Sequence, residues 1–70
     1  MKKYRMTSVP DNVRLKNMDW KDETFVLRGT ASPDYFEVHP GDVDESQFGS
    51  SKFLGIVSRC EVKNHFEEIE

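Results

Sequence analysis

Residues 2 to 8 alternate between apolar and polar positions. Tyr4 and Met6 fall on one side of an extended chain, and Lys3, Arg5 and Thr7 fall on the other. Period two predicts a half-buried strand. Val9-Pro10-Asp11-Asn12 is a turn signal, because Pro10 presets φ at the second turn position. Alternation then resumes, with Val13 and Leu15 on one side and Arg14 and Lys16 on the other. A four-residue loop sets Met6 opposite Leu15 and Arg5 opposite Lys16. A one-residue slip would place Met6 against Lys16, so the pattern selects this register. The first sixteen residues therefore predict a hairpin with one apolar and one basic face.

The polar connection 19–23 carries Trp20. Residues 24–30, TFVLRGT, predict a third strand with Phe25 and Leu27 on one face and Val26 and Arg28 on the other. Ala31-Ser32-Pro33-Asp34 is a second turn. Residues 35–39, YFEVH, predict a fourth strand, with Phe36 and Val38 inward and Glu37 and His39 outward. Pro40-Gly41 ends it. Asp42 and Glu45 have capping-box spacing and Gly49 suits a helix C′ position, so one helical or 3₁₀ turn is expected over 43–48, anchored by Val43 and Phe48. Residues 52–63, KFLGIVSRCEVK, hold the longest run of strand-like character and predict a fifth strand bent at Gly55. Its alternation sets Leu54, Ile56, Cys60 and Val62 inward and Phe53 and Val57 outward. In the tail, residues 64–70, Phe66 and Ile69 are three apart and predict a short helical turn.

Five short strands with regularly spaced turns predict a small all-β fold in one domain, residues 1–70. A helical turn before the last long strand, with VHPGDV followed by FLGIV, resembles the SH3-like barrels. The resemblance implies a five-stranded antiparallel barrel and carries no function with it. An OB-like barrel and an open sheet with a short C-terminal helix are the alternatives.

Composition narrows the class of protein. Seventy residues bury a small core, and the 36% hydrophobic content with eight Phe, Trp and Tyr favours a folded chain over a disordered one. The net charge of −3 is unevenly spread. Residues 1–28 carry seven Lys and Arg against four Asp and Glu, and residues 29–70 carry three against nine. A single cysteine excludes an internal disulfide, and no apolar run has the length of a signal peptide or membrane span. The expectation is a cytoplasmic protein of a reducing compartment.

Five constellations bear on chemistry. Lys3, Arg5, Arg14 and Lys16 would form a basic face on the first hairpin, near Tyr4 and Trp20, of the kind that holds single-stranded nucleic acid. A sequence pI of about 5.3 weighs against it. His39, Asp42, Asp44 and Glu45 could supply metal ligands, but the spacing is not that of an EF-hand and the acids suit a helix N-terminus. Cys60 with His65 or His39 lacks a feature that would activate a thiolate. The acids are scattered over turns and tail, and the four glycines form no phosphate loop. No enzyme, metal or cofactor is expected. The last constellation is aromatic and apolar: Trp20, Tyr35, Phe53 and Val57 are candidate contacts for a protein partner, although Trp20 could instead fold back as a lid on the core.

The sequence thus points to a non-enzymatic protein-interaction module, a regulator, adaptor or inhibitor of a larger partner. A chain of this length beginning at Met1 suits an accessory protein of a phage or mobile element. Nucleic-acid binding by the basic hairpin and assembly as a homo-oligomer are the alternatives.

Overall fold

In the computed structural model the described residues are 2–15, 19–49 and 53–69, with Glu45 described by its backbone alone. Five antiparallel strands make one curled, half-barrel sheet, accompanied by a short helix. The strands are β1 (Tyr4–Met6), β2 (Phe25–Gly29), β3 (Tyr35–Pro40), β4 (Gly55–Ser58) and β5 (Phe66–Glu68), and helix α1 (Arg59–His65) lies between β4 and β5. Their spatial order is β4-β3-β2-β1-β5. The two edge strands, β4 and β5, are joined directly through α1, so the helix links the two borders of the half-barrel.

Pairing assigns each side chain to a face. Leu27 lies opposite Val38, Phe36 opposite Val57, Tyr4 opposite Phe25 and Met6 opposite Phe66. These residues face the concave side, where Met6, Val13, Phe25, Val38, Val57 and Phe66 form the core. Phe66 meets Phe25 and Tyr4 edge-on, each at 6.4 Å between ring centroids. The other face carries Val26 opposite His39, Arg28 opposite Glu37, and Glu37 opposite Ile56.

The third and fourth expected strands form as β2 and β3. A 3₁₀ turn at Glu45–Gln47 falls within the expected 43–48. Its polar ties centre on Asp44 and not Asp42: the Asp44 N–H donates to Gln47 Oε1 at 3.1 Å, and the Gln47 N–H donates to the Asp44 carbonyl at 3.0 Å.

Three expectations are corrected. The first hairpin does not form, because β1 pairs with β2 and β5. A turn forms one residue later than expected, over Pro10–Val13 and closed by the Val13 N–H on the Pro10 carbonyl at 3.2 Å, so Pro10 stands at its first position and not its second. It delivers Val13 to Gly55 in an isolated bridge, and the Arg14 N–H to the Leu54 carbonyl. The expected strand over 13–15 is reduced to that single bridge at Val13, whose partner is distant in sequence. Lys16 lies outside the described residues.

The second correction concerns residues 52–63. The strand within them stops at Ser58, which caps α1. Ser58 Oγ accepts from the Glu61 N–H at 3.2 Å, and Glu61 Oε1 accepts from the Ser58 N–H at 2.9 Å, a reciprocal capping box. Cys60 and Val62 are thus helical, and counting them in the strand's period set Ile56 inward. The reverse holds: Val57 is fully buried and Ile56 is 40% exposed. The third correction is the tail, where Phe66–Glu68 is a strand and not a helical turn. Its neighbour β1 closes the sheet there, with the Ile69 N–H on the Lys3 carbonyl at 2.9 Å.

The cap gives a direct test. Ser58→Ala is expected to cost about 1 kcal/mol, read as a fall of roughly 4–8 °C in Tm, while Ser58→Thr retains most of it. An unchanged melt for the alanine variant would show that packing of Val62 alone holds α1.

Candidate functional site

The outer face of β2, β3 and β4 is not an ordinary solvated sheet surface. Val26 and His39 are fully buried there, although neither belongs to the concave core. Cover comes from the segment that follows β3. Phe48 lies 4.8 Å from the His39 ring and Phe53 lies 6.1 Å from it. The chain therefore folds a strap over one half of this face and builds a second, small apolar layer.

A charged group lies beside that layer. Glu37 Oε1 stands 3.0 Å from His39 Nε2 and 3.7 Å from Arg28 Nη1. Arg28 also sits over the Phe48 ring, 5.4 Å from its centroid. Guanidinium, carboxylate and imidazole form a row across β2 and β3, anchored under the strap. His39 Nδ1 is buried with no hydrogen-bond partner among the described residues.

Beyond the strap the same face is open: Tyr35 is 48% exposed and Ile56 40%, while Phe53, in the strap itself, is 45% exposed. Tyr35 pairs with Ser58 and Glu37 with Ile56, so Tyr35 and Ile56 are diagonal neighbours on one face. Exposed apolar side chains gathered on one surface are the feature to explain; scattered ones are ordinary.

Of the residues named for a protein partner, Tyr35 and Phe53 share this surface. Val57 is directed into the core opposite Phe36 and is withdrawn from the site. Trp20 is half-buried against the core, with Lys21 Nζ 5.8 Å from its ring centroid, which is the lid position. Ile56 replaces Val57, and the sequence signal for it was the capping box at Ser58, which marks where strand alternation stops. Burial of His39 had no local signal, because it depends on the strap.

The basic cluster is dispersed. Arg5 bonds Glu67 across β1 and β5 at 2.8 Å, Lys2 pairs with Glu68 at 3.3 Å, and Lys3 Nζ donates to the Gly41 carbonyl. Arg14 is exposed in the connection bridged to β4, away from a strand pairing with β1. Arg5 and Arg14 are therefore not cross-strand neighbours. The acidic half of the chain supplies the partners of the basic half.

Cys60 is exposed on α1, while His65 Nδ1 meets Ser8 Oγ at 2.7 Å and His39 meets Glu37. Among the described residues no three of His, Cys, Asp and Glu gather as metal ligands, and no helix is long and apolar enough to cross a membrane. Comparison with family models, curated proteins and solved structures finds no match for this chain.

Proposed function

We propose that this chain is a non-enzymatic protein-interaction module that contacts a larger protein partner through the outer face of β3 and β4. The supporting observation is that exposed Tyr35 and Ile56 are diagonal neighbours on this face, next to a strap whose Phe53 is itself exposed. Aromatic anchors next to a fixed charged row suit recognition by burial with polar registration at the rim. The role is that of a regulator, adaptor or inhibitor, in a cytoplasmic setting and in the manner of a phage or mobile-element accessory protein. We read the architecture as SH3-like: the order β4-β3-β2-β1-β5 is a meander whose last strand returns beside the first, although the 3₁₀ turn precedes β4 and helix α1 precedes the last strand.

The test is capture from a nuclease-treated lysate by the wild-type chain and by Ile56→Asp. The expected result is one dominant protein on the wild type and at least a tenfold loss on the variant. A charge at the centre of a desolvated contact costs more than the 1.4 kcal/mol that tenfold represents. Capture that vanishes with nuclease, or that weakens steeply with salt and not with Ile56→Asp, would assign binding to nucleic acid instead.

A further inference from the structure

The strap closes over a titratable ring. We infer that protonation of His39 opens the strap between β3 and β4, which makes it a proton-operated latch on the outer face of the sheet. His39 is fully buried, opposite Val26 on β2 and against the Phe48 and Phe53 rings of the strap. Its Nε2 stands 3.0 Å from Glu37 Oε1, and its Nδ1 has no hydrogen-bond partner among the described residues. A carboxylate only accepts, so Nε2 carries the proton of the neutral ring and Nδ1 is a bare lone pair. Protonation turns Nδ1 into a second donor. Under the closed strap that donor has no described acceptor, and a charged donor left unpaired is the most unfavourable kind to bury.

The groups around the ring set the direction of the response. Glu37, two residues earlier on β3, favours the charged ring, and Arg28 on β2, 3.7 Å from Glu37, opposes it. Both stand on the sheet, so both remain beside His39 whether the strap is open or closed. Lys3 reaches the near end of the strap, where its Nζ donates to the Gly41 carbonyl. From the strap, the described groups on the ring are Phe48 and Phe53. Phe48 lies tilted at 46° to the imidazole and already carries the Arg28 guanidinium 5.4 Å from its centroid, so a second cation gains little there. What opening changes is the access of water to Nδ1, and water supplies the missing acceptor.

The attachment of the strap suits local opening. Its ends are tied to the sheet by the Gly41 N–H on the Thr24 carbonyl at 2.9 Å and the Leu54 N–H on the Val38 carbonyl at 2.7 Å. Between them, Phe48 and Phe53 meet the sheet through ring contacts. Such a span can lift as a unit while the strand ladder stays intact. Phe53 also belongs to the surface assigned to a protein partner, so on that reading the latch regulates the contact. The latch itself does not depend on that reading.

Nuclear magnetic resonance of the isotopically labelled full chain tests it, from about pH 8 to pH 5, where histidine gains its proton. A soluble gadolinium chelate reports exposure of the Val26 and Val57 methyl groups, both fully buried, one under the strap and one in the concave core. Opening linked to one proton raises the open-to-closed ratio by up to about tenfold per pH unit. Relaxation of Val26 by the chelate is therefore expected to grow in step with protonation of the His39 ring, while Val57 stays protected. His39→Phe should abolish the response and His65→Asn should leave it unchanged. If His39→Phe does not fold, Glu37→Gln carries the comparison: without the carboxylate the ring charges less readily, so opening should move to lower pH. Val26 that stays protected while the His39 ring titrates overturns the proposal. So does equal exposure of Val57, a response that survives in His39→Phe, or one that does not move in Glu37→Gln. Capture by Ile56→Asp is a separate measurement, so the latch and the interface reading can fail independently.

Discussion

Gly55→Ala is expected to destabilise the protein by about 2–3 kcal/mol, as overpacking in a closed site does, lowering Tm by roughly 10–20 °C. A Cβ at Gly55 would lie 2.2 Å from the Asn12 carbonyl oxygen and 2.9 Å from Val13 Cα. Those are backbone atoms, held by the Val13–Gly55 bridge and by the Arg14 N–H on the Leu54 carbonyl. They cannot rotate aside as a side chain could. Relief requires parting the 12–14 segment from β4, which would also expose the outer border of that strand. The requirement for glycine is spatial. Gly29 is the matched control, because the space around its Cβ position is open. Gly29→Ala should stay within about 0.5 kcal/mol of the wild type. Equal melts for the two alanine variants would contradict the close approach of 12–14 to β4.

Phe25→Ala is expected to cost still more, about 3–5 kcal/mol, through lost burial and the cavity left behind. Phe25 is fully buried, sits in β2 opposite both Tyr4 and Pro40, and meets the Phe66 ring edge-on. It therefore ties β3, β2, β1 and β5 at one point. A domain of this length has a total stability of roughly 4–10 kcal/mol, so the variant should be largely unfolded well below the wild-type midpoint. Urea titration followed by circular dichroism measures it. A loss below about 1 kcal/mol would mean that the core closes over the gap without help from Phe25.

Much of the fold was legible because local alternation is a strong signal. Phe25 to Arg28 and Tyr35 to His39 lie in strands joined by a short turn, so pairing followed from neighbourhood. The first hairpin failed for a physical reason. Val13 and Leu15 match Met6 in pattern, yet the pattern carries no information about distant competitors such as Leu54 and Gly55. The 52–63 segment failed differently. Ser58 and Glu61 offer a capping box worth more locally than continued extension, and two helical residues were then counted in a strand's period. That slip exchanged the faces of Ile56 and Val57 and misplaced one site residue. The basic cluster was legible as composition but not as a surface, because Glu67, the partner of Arg5, arrives from the other end of the chain. The open β3–β4 face needed the strap's path over His39, which long-range packing alone decides.

The central claim is that Ile56 marks the contact surface of this protein. Site-specific photo-cross-linking tests it most directly, with a photoreactive phenylalanine analogue placed at position 56, and at position 67 for comparison, in the full chain within a nuclease-treated lysate. The account predicts a discrete protein adduct from position 56 and none from position 67, on the far side of the sheet order in β5. Adducts at position 67 with none at position 56 would contradict it.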